Sequence, residues 1–212
     1  MIFCSWSGGK DSCLALYYGI KTFGKVDLLF TMLHEDCDRS RAHGIKKELF
    51  KNQASSLKIP WHFECATWDD YEKVFLNFLD NYAKGGIGIF GDIDLEEHRN
   101  WVERVCMQKS VRVFEPLWKK DREKILKEFV DLGFKALVVA VSKKFPHAKV
   151  LLGKSLSCET IELIKSLRID ICGENGEYHT FVYDGPIFEK PVQFKVLDIV
   201  ETETSWLLDL RG

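Results

Sequence analysis

Six residues near the start of this 212-residue chain, Ser7-Gly8-Gly9-Lys10-Asp11-Ser12, are of the types needed to hold a phosphate chain. Two glycines let the backbone turn sharply and approach a ligand closely. Ser7 and Ser12 offer hydroxyl donors, and Lys10 offers a positive charge. The apolar run Ile2-Phe3-Cys4 ahead of them reads as a buried strand, and Cys13, Leu16, Tyr17 and Ile20 behind them share one helix face. A strand-to-helix turn presents the N–H groups of the first helical turn, where the helix dipole also favours an anion. The spacing is not that of a Walker loop, because Cys4 stands where its first glycine belongs and Asp11 where Ser or Thr follows the lysine. A plain glycine turn with a solvated lysine is the competing reading. It does not account for all six residues at the end of a first strand.

A second concentration of chemistry is Gly173-Glu174-Asn175-Gly176-Glu177-Tyr178-His179-Thr180. Glu174, Glu177 and His179 together suit proton handling or the binding of an ammonium-like nucleophile. A surface turn with charged tips is the alternative. Gly91-Asp92-Ile93 ends another apolar run. Asp92 there either orients a metal-bound phosphate or a substrate amine, or serves with Asp94 as a cap for the next helix. Asp11 has the same two readings, helix cap or indirect magnesium partner. Gly86-x-Gly88-x-x-Gly91 has the spacing of a dinucleotide fingerprint but contains a strand instead of following one, and Gly153-Lys154-Ser155 lacks the upstream glycine of a Walker loop. Both read as structural, and His34 with Cys37 as a solvated loop.

These residues need a scaffold, and the chain alternates strands with helices. Strands are expected over 26–32, 61–66, 87–90 and 111–114, and helices over 42–58, 71–82, around 95–106 and over 121–132. Such βα repetition implies parallel strands, right-handed crossovers and helices on both faces. Ligands then bind beyond the carboxyl ends of the strands, so loops 7–12, 33–41, 91–94 and 115–118 gather on one edge. After a very apolar strand over 136–141 the pattern changes, and the tail over 191–210 reads as strands. The expected fold is α/β, a doubly wound, mostly parallel, Rossmann-like sheet over 1–117 followed by a smaller α+β domain over 118–212.

Composition narrows the partners. A formal net charge of −2 argues against a general nucleic-acid binder, and no apolar run is long enough to span a membrane. Met1-Ile2-Phe3 enters the first strand directly, which leaves no room for a signal peptide. Cys4, Cys13, Cys37, Cys65, Cys106, Cys158 and Cys172 form no CxxC pair, and several lie in apolar strands or helix faces. This odd, unclustered set points to reduced thiols and a cytoplasmic setting.

Taken in order, SGGKDS at 7–12, GDI at 91–93, PLW at 116–118 and GENGEYHT at 173–180, followed by Tyr183-Asp184-Gly185-Pro186, resemble the diphthine–ammonia ligase family. The first motif is similar to the pyrophosphate loop of the ATP pyrophosphatases, or adenine nucleotide alpha hydrolases. The resemblance spans nearly the whole chain, and GENGEYHT is its most specific part. It implies ATP-dependent amidation of the diphthine carboxylate on elongation factor two, with ATP and Mg2+ required and AMP and pyrophosphate released. It also implies that Ser7, Gly8, Gly9, Lys10, Asp11, Ser12, Met32 and His43 hold ATP. Gly91, Asp92, Gly173, Glu174, Gly176, Glu177 and Thr180 would hold the acceptor and ammonium. Catalytic duties fall to Lys10, Asp92, Glu174, Glu177 and His179, and the magnesium contact to Asp11. Partners would be ATP, free ammonium and a protein substrate, with neither stable nucleic acid nor membrane, and a homo-oligomer is open. Arg41-Ala42-His43-Gly44 looks more like the short bacterial relatives, which leaves a different carboxylate acceptor as an alternative. Two rivals remain: a tRNA-modifying relative that adenylates a base, and a nucleotide-binding sensor without turnover.

Overall fold

The computed structural model describes residues 1–212. Five short apolar runs form the first sheet: β1 (Ile2–Ser5), β2 (Leu28–Leu33), β3 (Trp61–Cys65), β4 (Ile87–Ile89) and β5 (Arg112–Phe114). Their order is β3-β2-β1-β4-β5, and every neighbouring pair is parallel. The order reverses at β1, which opens a crevice between the ends of β1 and β4. Loops 7–12 and 91–94 leave the sheet on either side of that crevice.

Alternation along each strand feeds two cores, as the two-residue period requires. Cys4, Leu29 and Leu33 face α1 (Lys10–Phe23) and α2 (Lys47–Leu57) through Leu14, Leu16, Leu49 and Phe50. Phe3, Leu28 and Phe30 face α3 (Tyr71–Phe78) and α4 (Glu96–Met107) through Phe75, Phe78, Val102 and Val105. A π-helical turn, Leu79–Ala83, prolongs α3.

The second half begins with α5 (Arg122–Asp131), capped by the Asp121 side chain, which accepts from the Lys124 N–H at 2.9 Å. Then come β6 (Lys135–Ser142), a 3-10 turn over Pro146–Leu151, α6 (Cys158–Ser166), β7 (Tyr178–Asp184), β8 (Lys195–Glu201) and β9 (Ser205–Arg211). The four strands form an antiparallel sheet of order β7-β6-β9-β8. Helix α6 was not singled out in the sequence; Ser157 starts it by accepting from the Thr160 N–H at 3.2 Å. Ala136, Val138, Phe181 and Val182 join the same core as Leu14 and Phe50, so the two sheets share one continuous apolar interior. The outer edge of β7 also meets the phosphate loop, since the Val182 N–H donates to the Gly8 carbonyl at 2.9 Å.

Two expectations fail here. The helix expected over 42–58 starts only at Lys47. Residues 34–46 are a loop, held by bridges between Leu33 and Ser40 and between Arg39 and Lys46. Ile45 is buried in that loop, and its apolar side chain imitates helical spacing. The thiols are not all reduced either: Cys37 and Cys65 form a disulfide that ties this loop to the end of β3. The other five cysteines are free. No helix is long and apolar enough to cross a membrane.

Candidate active site

The phosphate loop is set by its own backbone and by one buried side chain. Gly8 has φ +75°, and a Cβ there would meet Gln53 Oε1 at 2.9 Å; at Gly9 it would meet His43 Nε2 at 2.8 Å. The left-handed backbone at Gly8 calls for glycine, and at Gly9 a side chain would displace the His43 ring. Gln53 is completely buried. It donates to the Gly8 carbonyl at 3.0 Å and the Val182 carbonyl at 2.7 Å, and accepts from Trp6 Nε1–H at 3.0 Å. One amide thus joins α2, the phosphate loop and β7. Sequence reasoning missed it, because a glutamine on an amphipathic helix looks like solvent-facing surface; only its place among Leu49, Phe50 and Ala54 hinted otherwise.

The loop is partly satisfied from within. The Lys10 N–H donates to Thr180 Oγ1 at 3.0 Å and the Gly9 N–H to Ser7 Oγ at 3.3 Å, while the Ser7 and Ser12 hydroxyls lie 3.0 Å apart. Helix α1 therefore begins with one of its free amides already taken by the GENGEYHT segment. Lys10 is buried; its ammonium donates to the Cys172 carbonyl and to Asp11 Oδ2 at 2.8 Å, 5.5 Å from the Tyr178 ring centre. Burial pulls its pKa down, but Asp11, Tyr178 and Cys172 together outweigh this and the net shift is upward, so the charge is kept. Asp11 is not the helix cap, because Gly9 occupies that position. Its other oxygen, Oδ1, is buried without a partner.

Loop 170–177 is built on carboxylates. Asp170 accepts from the Cys172 and Glu174 N–H groups, both at 3.0 Å, and is also held by Arg122, which grips Asp94 at 2.6 and 2.9 Å. That arginine fastens the 91–94 loop to the 170–177 loop. Glu177 is buried and accepts from the Asp170 N–H at 3.1 Å and from the Asn175 N–H and side-chain amide at 3.0 Å each. Both oxygens of its carboxylate are engaged by groups of its own loop. Glu174 instead faces the site, and burial followed by the Asp11 charge raises its carboxyl to about 7. His179 is lowered to about 4 by burial and then by the Lys10 charge, and burial drives His43 well below its ordinary value. The two neutral rings lie 4.6 Å apart over the loop.

Two connected cavities result. The smaller, about 360 Å3, is walled by Lys10, Asp11, Gly91, Glu174, His179 and Thr180. The larger, about 720 Å3, mixes polar side chains with an aromatic group that includes Phe30, Tyr71, Phe90 and Trp101, with Met32 beside them. Ser5, Ser7, His43, Asp92 and His98 line both. Asp92 approaches His98 Nδ1 at 3.5 Å, and Leu95, not Asp92 or Asp94, sits at the cap position of α4. Gly8 and Gly9 shape the loop beneath, and Gly173 and Gly176 bend the segment that carries Glu174. Of the residues expected at the site, Glu177 alone turns its functional group away. Unforeseen around it are Gln53, Tyr178, Asp170, Arg122 and His98.

The residues present fit a magnesium-bound polyphosphate. A buried lysine, two serine hydroxyls and an unpartnered Asp11 oxygen meet at a helix N-terminus. No three His, Cys, Asp or Glu side chains converge to cage a metal unaided, so phosphate oxygens would complete the shell of a magnesium ion held by Asp11.

Comparison with known proteins agrees in extent. Residues 2–113 match the family model described as the diphthamide synthase N-terminal domain, and residues 121–211 the diphthamide synthase C-terminal domain. A diphthine–ammonia ligase of Danio rerio is 26% identical over 222 residues, covering 92% of this chain and 86% of the relative. One from Schizosaccharomyces pombe is 27% identical over 97% of this chain, which spans only 38% of that relative's length. A solved structure from Methanocaldococcus jannaschii, described as a predicted subunit of a tRNA methyltransferase, superposes with a TM-score of 0.43 at 16% identity. It covers 84% of this chain and 94% of that one, a likeness too distant to bear on function. With both halves matched in order and the motif residues gathered around one crevice, the chain belongs to the diphthamide synthase family.

Proposed function

We propose that this protein is an ATP-dependent, amide-forming ligase that adenylates a carboxylate and transfers ammonia to it, with diphthine on elongation factor two as acceptor. The observation that carries the reading is the Lys10–Thr180 contact: it seats the GENGEYHT segment directly on the phosphate loop, so nucleotide and acceptor groups share one crevice.

In this reading the outer phosphates of ATP lie against Ser7, Lys10 and Ser12, and the aromatic cavity beside Met32 receives the adenine. The acceptor carboxylate attacks the α-phosphorus and pyrophosphate leaves, its charge held by Lys10 and the fixed donors of the loop. Asp11 would hold a magnesium ion there, which would add to the charge neutralisation. Ammonia then attacks the acyl carbon and AMP departs with the electron pair. Glu174, half ionised near neutrality, takes the proton that the attacking nitrogen loses, since a base works best with a pKa near the working pH. His179, held low by burial and then by the Lys10 charge, presents a neutral ring to the phosphates. Asp92, with His98, marks the acceptor side of the crevice.

The test is a product assay with ATP, magnesium, ammonium and diphthine-bearing elongation factor two. AMP and pyrophosphate in equal amounts, with conversion of acid to amide on the factor, are expected. AMP without the amide would remove diphthine as the acceptor, and ADP or no turnover would remove the adenylation reading.

A further inference from the structure

The Cys37–Cys65 disulfide joins two segments that wall the larger cavity. Loop 34–46 contributes Ser40, Arg41 and His43 to that cavity, and the segment after β3 contributes Trp68 and Tyr71. The backbone bonds of the loop run within itself and to the first residue of α2: the His34 N–H donates to the Arg39 carbonyl, the Ser40 N–H to that of Ile45 and the Lys47 N–H to that of Asp38. Towards β3 the loop is held by the disulfide and by Arg41. The Arg41 guanidinium donates to the Ala66 carbonyl and lies 4.8 Å from the Trp68 ring centre. Ala66 follows Cys65 directly, so both links reach the same end of β3.

The disulfide is within reach of a reductant. Cys37 is half-buried between the exposed Asp36 and Asp38, and Cys65 is half-buried too, whereas Cys4, Cys13, Cys106 and Cys172 are buried. The loop is also poised to lift. Arg41 Nε is buried without an acceptor, and moving it into water would relieve that cost. Residues 43–46 are better anchored: the His43 ring lies 4.6 Å from that of His179, Ile45 is buried and Lys46 pairs with Asp209 at 2.5 Å. Loss of the bridge therefore frees residues 34–42, the part that carries Arg41. We propose that Cys37 and Cys65 form a thiol-responsive latch on the larger cavity. Oxidised, the pair pins Arg41 and residues 34–42 against Trp68; reduced, it releases them and opens that wall. In the switching step a thiolate of a dithiol attacks one sulfur and the bond between the two sulfurs breaks. The dithiol gives up two electrons and closes to its own disulfide, and its two protons end on the Cys37 and Cys65 thiols. That ATP feels the latch rests on the reading of this cavity as the nucleotide site. A wall fixed in advance costs less to order on binding, so the oxidised chain binds ATP more tightly. Such coupling is reciprocal, and bound ATP must protect the disulfide by the same factor.

The test uses the full chain in a Cys158→Ser background, which removes the one exposed free cysteine. Oxidised and dithiothreitol-reduced samples are told apart by alkylation in denaturant and mass spectrometry. Isothermal titration with ATP and magnesium should give a Kd about tenfold higher for the reduced chain. The potential of the disulfide, measured against dithiothreitol, should then fall by about 30 mV at saturating ATP, which is that tenfold factor for a two-electron couple. Cys37→Ser with Cys65→Ser should bind ATP as the reduced chain does and ignore dithiothreitol. Hydrogen exchange without ATP should quicken over residues 34–42 on reduction and stay unchanged over α2. Equal exchange over 34–42 in the two redox forms would overturn the latch, as would a chain whose Cys37 and Cys65 remain thiols under oxidant. Equal ATP affinity in the two forms would overturn the coupling. A chain that binds ATP in neither form would instead overturn the nucleotide reading, and exchange over 34–42 would decide the latch by itself.

Discussion

Gln53→Leu is the perturbation that most directly probes how the phosphate loop is held. Leucine nearly preserves the volume and suits helix α2, so packing and propensity change little. What disappears are three hydrogen bonds in a fully buried place: to the Gly8 carbonyl at 3.0 Å, to the Val182 carbonyl at 2.7 Å and from Trp6 Nε1–H at 3.0 Å. The Gly8 carbonyl keeps its bond from the Val182 N–H, so its loss is partial. The indole N–H is left buried without that partner. At about 1–3 kcal/mol for each of the two buried groups left unpaired, and with the third largely compensated, the cost is about 2–6 kcal/mol. Urea unfolding followed by tryptophan fluorescence measures it as a shift of the midpoint at constant slope. Isothermal titration with ATP and magnesium should show weaker binding as well, because Gly8 loses a bond that fixes its left-handed backbone. A Gln53→Leu protein within about 0.5 kcal/mol of the parent, binding ATP equally well, would show that Gln53 does not position the loop.

Lys10→Ala should lower ATP affinity and turnover together, by about tenfold to a hundredfold in kcat/KM, the range set by one charge-assisted hydrogen bond of about 1.5–3 kcal/mol; steady-state kinetics with ATP titration reads both. Glu177→Gln replaces one accepting oxygen with a donor facing the Asp170 or Asn175 N–H groups. It should cost about 1–3 kcal/mol in chemical unfolding while leaving the shape of the pH–rate profile unchanged, whereas Glu174→Gln should abolish the rise in rate centred near pH 7. Glu115, at the end of β5, is buried with Oε1 unpartnered, and burial together with Asp92 raises its carboxyl to about 7 despite Arg99 at 3.3 Å. Its folded pKa lies above the ordinary value of 4.5, so the proton is held more tightly in the native state. The resulting stability is fully present below the ordinary value and is lost as pH rises through about 7. Relative to Glu115→Gln, the parent should therefore lose up to about 3 kcal/mol across that window, and parallel unfolding curves for both proteins would measure it.

Much of this architecture was readable because local signals agreed with the global fold. Each first-sheet strand is a short apolar run and each crossover helix carries one apolar face, so β1 to β5 followed from periodicity, whereas the order that opens the crevice at β1 did not. SGGKDS and GENGEYHT were visible as chemistry before any contact was known. Other features depend on long-range encounters that no local pattern encodes. Ile45 extended an apparent helix because burial against the core, not helical packing, selects its side chain. Cys37 and Cys65 share no spacing motif; they meet because loop 34–46 folds back over the end of β3. The oxygens of Glu177 meet the amides of their own loop, a contact that residue spacing does not announce. Helix α6 is short, and its Ser157 cap is a modest signal beside the strands that follow.

The central claim is that a carboxylate oxygen attacks the α-phosphorus within the crevice shared by the phosphate loop and the GENGEYHT segment. The most direct measurement is isotope transfer. Diphthine-bearing elongation factor two labelled with 18O in the acceptor carboxylate is turned over with ATP, magnesium and ammonium, and the AMP is weighed by mass spectrometry. One labelled oxygen should appear in AMP for each amide formed. Unlabelled AMP, or phosphate release as ADP, would contradict it.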